Sequence, residues 1–185
     1  DITGSWTQRA KLVAADGAVS GFGYSVAIDA DTVVIGANVG SIYIFTRDVA
    51  GSLTSSWTQR AKLEHSGVFG TGSSLLAISG DTVVVGAPDA DGQSGEAYIY
   101  TRDSAGSLTA GWTKRVKLLA KDGAASNQFG FSVSISVDTV VVGALYNESA
   151  YVFTRDTAGS LTSGWSQRAK LMADDGVAED HFGKS

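Results

Sequence analysis

Residues 88–96 read PDADGQSGE. Asp89, Asp91 and Glu96, with Gln93 as a helper, place oxygen donors around a glycine turn, which is what a hard cation such as calcium takes up. The full EF-hand pattern is absent. Two readings therefore stand: a calcium loop, or an ordinary acidic turn. Asp16, Asp122 and Asp175 each precede a glycine or lead into one at the same place in a recurring loop. Such pairs make turns. Gathered on one face they would also form a ring of carboxylates able to hold a cation or a polar ligand. Asn147 opens Asn-Glu-Ser, the N-glycosylation acceptor pattern, expected in an exposed loop and usable only in a eukaryotic secretory setting.

Residues suited to catalysis are sparse. The two histidines, His65 and His181, lack a spacing that pairs a nucleophile with a base or makes a His-x-x-x-His metal site. Asp174–Asp175 and Glu179–Asp180 are sequence neighbours, which does not put two carboxylates across a substrate. GFGYS at 21–25 is glycine-rich, but no lysine or helix follows it as in a phosphate loop. The expectation is a protein that is not an enzyme.

The elements that position these residues come from a repeat. SWTQRAKL occurs at 5–12 and 56–63, GWTKRVKL at 111–118 and GWSQRAKL at 164–171, so the tryptophans are 51, 55 and 53 residues apart. Phe-Gly recurs at 22–23, 69–70, 129–130 and 182–183, Gly-Ala at 36–37, 86–87 and 143–144, and Thr-Arg-Asp at 46–48, 101–103 and 154–156. A period of this length points to propellers or arrays. Each unit predicts four short strands: one after Phe-Gly, then TVVVGA, then YIFT or a close variant, then WTQRAKL. All are rich in β-branched and aromatic residues and bounded by Gly, Asp and Ser. No window shows a helical stripe.

TVVVGA is apolar on both faces and should be covered on both. WTQRAKL alternates, with Trp57, Gln59, Ala61 and Leu63 predicted on one side and Thr58, Arg60 and Lys62 on the other. Its basic residues suit an outer strand, where they discourage edge-to-edge association. Four strands with buried inner members and a charged outer one describe a propeller blade. The predicted units are 13–63, 64–118 and 119–171, with 1–12 an outer strand of a preceding blade and 172–185 the start of a following one. The loop TRD-x-AGSLT is nearly the same in every copy and reads as structural, with Leu53, Leu108 and Leu161 packing back. The Ser/Thr display for O-glycans is its functional alternative. The loops before Phe-Gly and after Gly-Ala vary.

Phe-Gly, a short strand and VVVGAP together resemble the FG-GAP repeat, as in the seven-bladed propeller of integrin α subunits and, more closely, in microbial and algal FG-GAP proteins. The resemblance implies an all-β propeller fold, an extracellular or cell-surface place, and binding of protein or glycan in adhesion. Only Pro88 completes a literal Gly-Ala-Pro. The integrin-type calcium loops between the first two strands shrink here to DADT, SGDT and SVDT, so those sites do not carry over.

Composition fits this reading. The chain has 185 residues, 43% apolar and 18% charged, with 23 glycines and a net charge of −5, which is globular. The acidic balance argues against a nucleic-acid partner. No apolar run reaches the roughly 20 residues of a membrane helix. With no cysteine, disulfides and thiolate sites are excluded. Asp1 in place of Met reads as a processed product, an excised piece or a window on something longer. Seven units would need roughly 370 residues. The expectation is therefore a segment of a larger propeller, a subunit completed by neighbouring copies into a fibre or surface layer, or an accessory domain of an enzyme.

Overall fold

The computed structural model describes residues 6–37, 40–64, 75–176 and 180–185. Its described strands form three four-stranded antiparallel sheets. The first holds β1 (Val26–Asp29), β2 (Thr32–Ala37), β3 (Ser41–Arg47) and β4 (Trp57–Glu64) in that order. The second holds β5 (Leu76–Ser79), β6 (Thr82–Ala87), β7 (Glu96–Arg102) and β8 (Trp112–Leu118). The third holds β9 (Phe129–Ser136), β10 (Thr139–Ala144), β11 (Ser149–Arg155) and β12 (Trp165–Leu171). These are blades of a β-propeller type. Among the described residues, regular structure outside the strands is limited to single turns at Ala90–Gln93 and Leu145–Asn147. Among the described residues no helix is long and apolar enough to cross a membrane.

The second strand of each blade is covered on both faces, as its unbroken apolar run requires. Val83 and Val85 pack into a core shared with the first blade, while Val84 packs into a core shared with the third. Each blade thus has a leading face toward the preceding unit and a trailing face toward the next.

Phe-Gly and Gly-Ala are the two halves of the joint. The Phe ring stands edge-on to two aromatics of its own third strand: Phe129 lies 5.4 Å from Tyr151 and 6.0 Å from Phe153, and Phe22 meets Tyr43 and Phe45 likewise. Gly130 then sits against the preceding blade with φ +92°, its carbonyl where a Cβ on Gly86 would lie. Gly183 meets Gly143 in the same way. Two backbones come this close only where neither carries a side chain. Phe69 and Gly70 lie outside the described residues.

Two expectations fail for physical reasons. The outer strand does not alternate from end to end. Ile44 pairs with Ala61 but Phe45 with Gln59, so Arg60 is an extra residue, and the same register shift makes Arg115 and Arg168 extra. A bulge flips the faces beyond it. Trp112 therefore packs on the leading face of its blade, while Val116 and Leu118 pack on the trailing face. Of residues 1–12, expected as an outer strand, the described residues 6–12 form none. Among the described residues they have no third strand to pair with, and Trp6 is 96% exposed.

Candidate functional site

In an antiparallel meander the turns fall on two edges. The lower edge carries the hairpins after the first strand and the TRD-x-AGSLT loops. The upper edge carries the loops after Gly-Ala and the loops that lead into Phe-Gly.

The lower edge is a joint. Arg102 is buried, and its guanidinium has four engagements. Nε pairs with Asp81 at 2.5 Å, Nη1 donates to Ser107 O at 2.8 Å, and Nη2 donates to Thr32 Oγ1 of the preceding blade at 2.9 Å. Its plane lies 4.6 Å over Trp112. Arg155 repeats this set with Asp138, Ser160, Thr82 and Trp165. The other carboxylate oxygen of Asp81 accepts from Gly106 N at 2.8 Å, which ties the invariant loop down. In the opposite direction, Thr46 donates to Leu108 O at 2.8 Å and Thr101 to Leu161 O at 2.9 Å. Leu108 and Leu161 are half-buried at these contacts, but Leu53, expected to pack back as they do, is 76% exposed. No described blade stands on its side. The indole N–H groups of Trp112 and Trp165 are buried without an acceptor, so packing and the cation hold these rings.

The upper edge holds the sequence-predicted site residues. Asp16 is not a bare carboxylate: it accepts from Tyr43 OH at 3.2 Å and pairs with Lys62 at 2.9 Å. Asp122 does the same with Tyr151 at 2.9 Å and Lys170 at 2.6 Å. The hydrogen bonds from these lysines hold both carboxyls below their ordinary range, against burial that pushes them up. Asp175 sits in the matching loop, exposed, and among the described residues no such Tyr–Lys pair meets it. The expected ring of carboxylates is therefore a set of Asp–Tyr–Lys clusters whose charge is largely compensated.

The second unit solves the same problem differently. Its loop has no Asp-Gly, and Glu96 stands where the other units have Ser41 and Ser149. Buried Glu96 pairs with Lys117 at 2.7 Å and accepts from Tyr98 OH. A carboxylate lost from the loop is resupplied from the strand. Glu96 is thus engaged inside this cluster, while Asp91 stands exposed on the turn, where its charge also acts on Lys117. Among the described residues Asp89 receives only a long 3.4 Å contact from Gln128 Nε2, and the Gln93 backbone carbonyl accepts from Gln128 N at 2.8 Å. Among the described residues no three His, Cys, Asp or Glu are close enough together to hold a metal ion. The four residues expected to bind calcium do not form a donor set.

Asn147 lies in the turn after Gly-Ala, but it is half-buried and not displayed. Its Nδ2 donates to Tyr151 OH at 2.6 Å, and Ser149 is buried with its hydroxyl on Asn147 O. The acceptor pattern is spent on folding its own turn. His181 is exposed, and His65 lies outside the described residues.

What the upper edge offers instead is a cleft at the junction of blades. One of about 370 Å³ lies between the Ala90–Gly95 turn and the loop into the third blade, with Asp91 and Ser94 on one wall and Leu119, Ala120 and Phe129 on the other. A smaller one, about 60 Å³, repeats at the next junction with Glu148 opposite Met172, Ala173 and Phe182. Leu119 and Met172, Ala120 and Ala173, and Phe129 and Phe182 are matching repeat positions. The polar wall, from the loop after Gly-Ala, sets the size. No single-copy motif announces this cleft, because its residues come from two units.

The pH dependence of the upper edge follows from these clusters. Asp122 is lowered, so its contribution is present above the unfolded carboxylate range near about 4 and is lost as pH falls through its lower folded value. The pair is half-exposed, so Asp122→Asn should cost about 0.5–1 kcal/mol at pH 7. Urea unfolding should show variant and wild type converging below about pH 3. Tyr100 behaves oppositely: burial pushes its phenol up to about 12, and its hydroxyl donates to Glu64 O at 2.9 Å. Its contribution is full below about pH 10 and is lost as pH rises toward the folded value. Tyr100→Phe should cost about 1 kcal/mol at neutral pH, a gap that alkaline unfolding curves should show narrowing above about pH 10.

The FG-GAP repeat family model matches residues 6–45, 57–100, 112–159 and 165–185, while no curated protein matches the chain. Phe-Gly against Gly-Ala, seen for Gly130 on Gly86 and Gly183 on Gly143, together with three four-stranded sheets, is the structure behind that match. The chain belongs to the FG-GAP repeat family.

Proposed function

We propose that the chain is a non-catalytic binding module with an extracellular adhesion role, and that the upper edge is where it binds. The observation that carries this reading is the division between the two edges. The invariant residues of the lower edge are consumed in the joint, whereas the upper loops vary and open clefts at successive junctions. Loops on a rigid scaffold are where recognition residues collect. An apolar floor of Leu119 and Phe129 facing Asp91 and Ser94 suits an oligosaccharide. Sugar C–H faces would lie on the floor and hydroxyls would donate to the carboxylate. Repetition at each junction would let a chain of sugars be read more than once, with avidity exceeding any single contact.

The test is an array of immobilised neutral, amino and acidic oligosaccharides. Wild type should bind one class. Asp91→Ala with Ser94→Ala should lose that signal about tenfold or more, while Thr109→Ala on the lower edge should keep it. Binding that is absent throughout, or indifferent to the upper pair, would reject the reading.

A further inference from the structure

Tyr100 closes the outer rim of the first junction. Its hydroxyl crosses from the second blade and donates to Glu64 O of the first at 2.9 Å. At the second junction the repeat puts Phe153 and Leu119 at these two positions. Phe153 has no hydroxyl to give the Leu119 carbonyl. A cleft of about 260 Å³ opens there, between the outer strands β8 and β12.

The rim cleft has the opposite charge character to the upper one. Lys117 comes to it from β8, Lys121 from the loop into the third blade, and Ser166 and Gln167 from β12, while no carboxylate lines it. Phe153 and Trp165, both buried, back it. Lys117 is held by Glu96 at 2.7 Å. Lys121 is exposed and, among the described residues, in no ion pair. Its backbone N donates to Gln167 Oε1 at 3.0 Å, so Nε2 is the end of that amide left to donate. Two ammonium groups, an amide and a hydroxyl thus stand together with only Glu96 behind them. That set suits one anionic group, held by charge-assisted hydrogen bonds.

Leu119 lines this cleft and the upper one alike. A ligand that leaves the upper cleft over Leu119 therefore enters the rim cleft. Asp91 on the upper wall repels an anion, and the lysines of the rim attract it. A ligand hydroxyl beside the anionic group would give Leu119 O the donor that Tyr100 gives Glu64 O. An anionic group with hydroxyls beside it on a ring describes an acidic sugar.

We propose that the rim cleft is a subsite for an acidic sugar unit, carboxylate or sulfate ester, of an oligosaccharide whose neutral neighbouring unit lies in the upper cleft. This names the ligand class of the upper edge and rests on that edge being the binding face. The opposed charges of the two clefts also fix the register of the sugar chain.

Isothermal titration calorimetry of the 185-residue chain compares an oligosaccharide of alternating neutral and uronic acid units, its carboxyl-reduced form, and the sulfate ester of that reduced form. Wild type should bind an acidic probe about five- to tenfold more tightly than the neutral one, by a margin that shrinks as salt rises. The acidic probe that shows the gain names the acid. Lys121→Gln should abolish the gain and leave the neutral probe's affinity unchanged. Phe153→Tyr, which fills the cleft and restores the hydroxyl, should abolish it too, with a melting temperature no lower than wild type. Asp91→Ala with Ser94→Ala should weaken acidic and neutral probes alike. Acidic and neutral probes held equally by wild type, yet both weakened by the upper pair, overturn the proposal and leave the upper-edge reading standing. So does a gain that survives Lys121→Gln and Phe153→Tyr. No binding of any probe overturns both.

Discussion

Arg102→Ala should destabilise the chain by about 3–5 kcal/mol, the loss expected when one partner of a buried ion pair is removed. The side chain is 3% exposed and joins Asp81, the Ser107 carbonyl, Thr32 of the neighbouring blade and the face of Trp112. Truncation leaves an acidic group without its cation, a carbonyl without its donor and an indole without its cover. Arg102→Lys should recover little. A point charge cannot donate in three directions from one plane or stack on the ring. Denaturant unfolding checks this, and the comparison with Arg47→Ala sharpens it. Arg47 makes the same contacts within its blade but, among the described residues, none across a joint, so its loss should be smaller by about 1 kcal/mol or more. Equal losses would mean that the link to Thr32 contributes nothing.

Gly86→Ala should cost about 3 kcal/mol or more, the upper range for overpacking. The added Cβ would overlap the carbonyl of Gly130, and this neighbour is backbone, which cannot swing aside as a side-chain tip can. Relief requires the second and third blades to part. Gly106→Ala is the control: its Cβ would meet nothing within 4 Å, and only its φ of +68° opposes substitution. Its cost should stay near about 1 kcal/mol. Thermal unfolding of both variants reads the difference directly.

The sheets were legible in the sequence because their signals are local. TVVVGA declares a strand covered on both faces, and its three copies declare three blades. The bulge was not legible. WTQRAKL alternates cleanly on paper, and only the pairing of Ile44 with Ala61 and Phe45 with Gln59 shows that Arg60 interrupts it. The Asp31–Arg47 pair left a trace that strand periodicity does not read: an aspartate before TVV and an arginine in TRD occur together in all three units. The upper clusters left a subtler one. The second unit lacks Asp-Gly in its loop and gains Glu96 in its strand, a paired change whose meaning appears only when Lys117 is seen to meet it. Reading Glu96 as part of a calcium loop followed from its nearness in sequence to Asp89 and Asp91, whereas the strand turns it toward Tyr98. The clefts combine residues from two units, so no window of the sequence contains one.

The proposed binding face is the upper edge. Its most direct test is amide chemical-shift mapping of the isotopically labelled chain, titrated with the oligosaccharide that gives the strongest array signal. Shifts gathered on the upper edge, at residues 89–95 and 119–129 and at Glu148, Met172 and Ala173 of the next cleft, with residues 103–111 and 156–164 unmoved, are the predicted result. Shifts on the lower loops, or none at millimolar sugar, would contradict it.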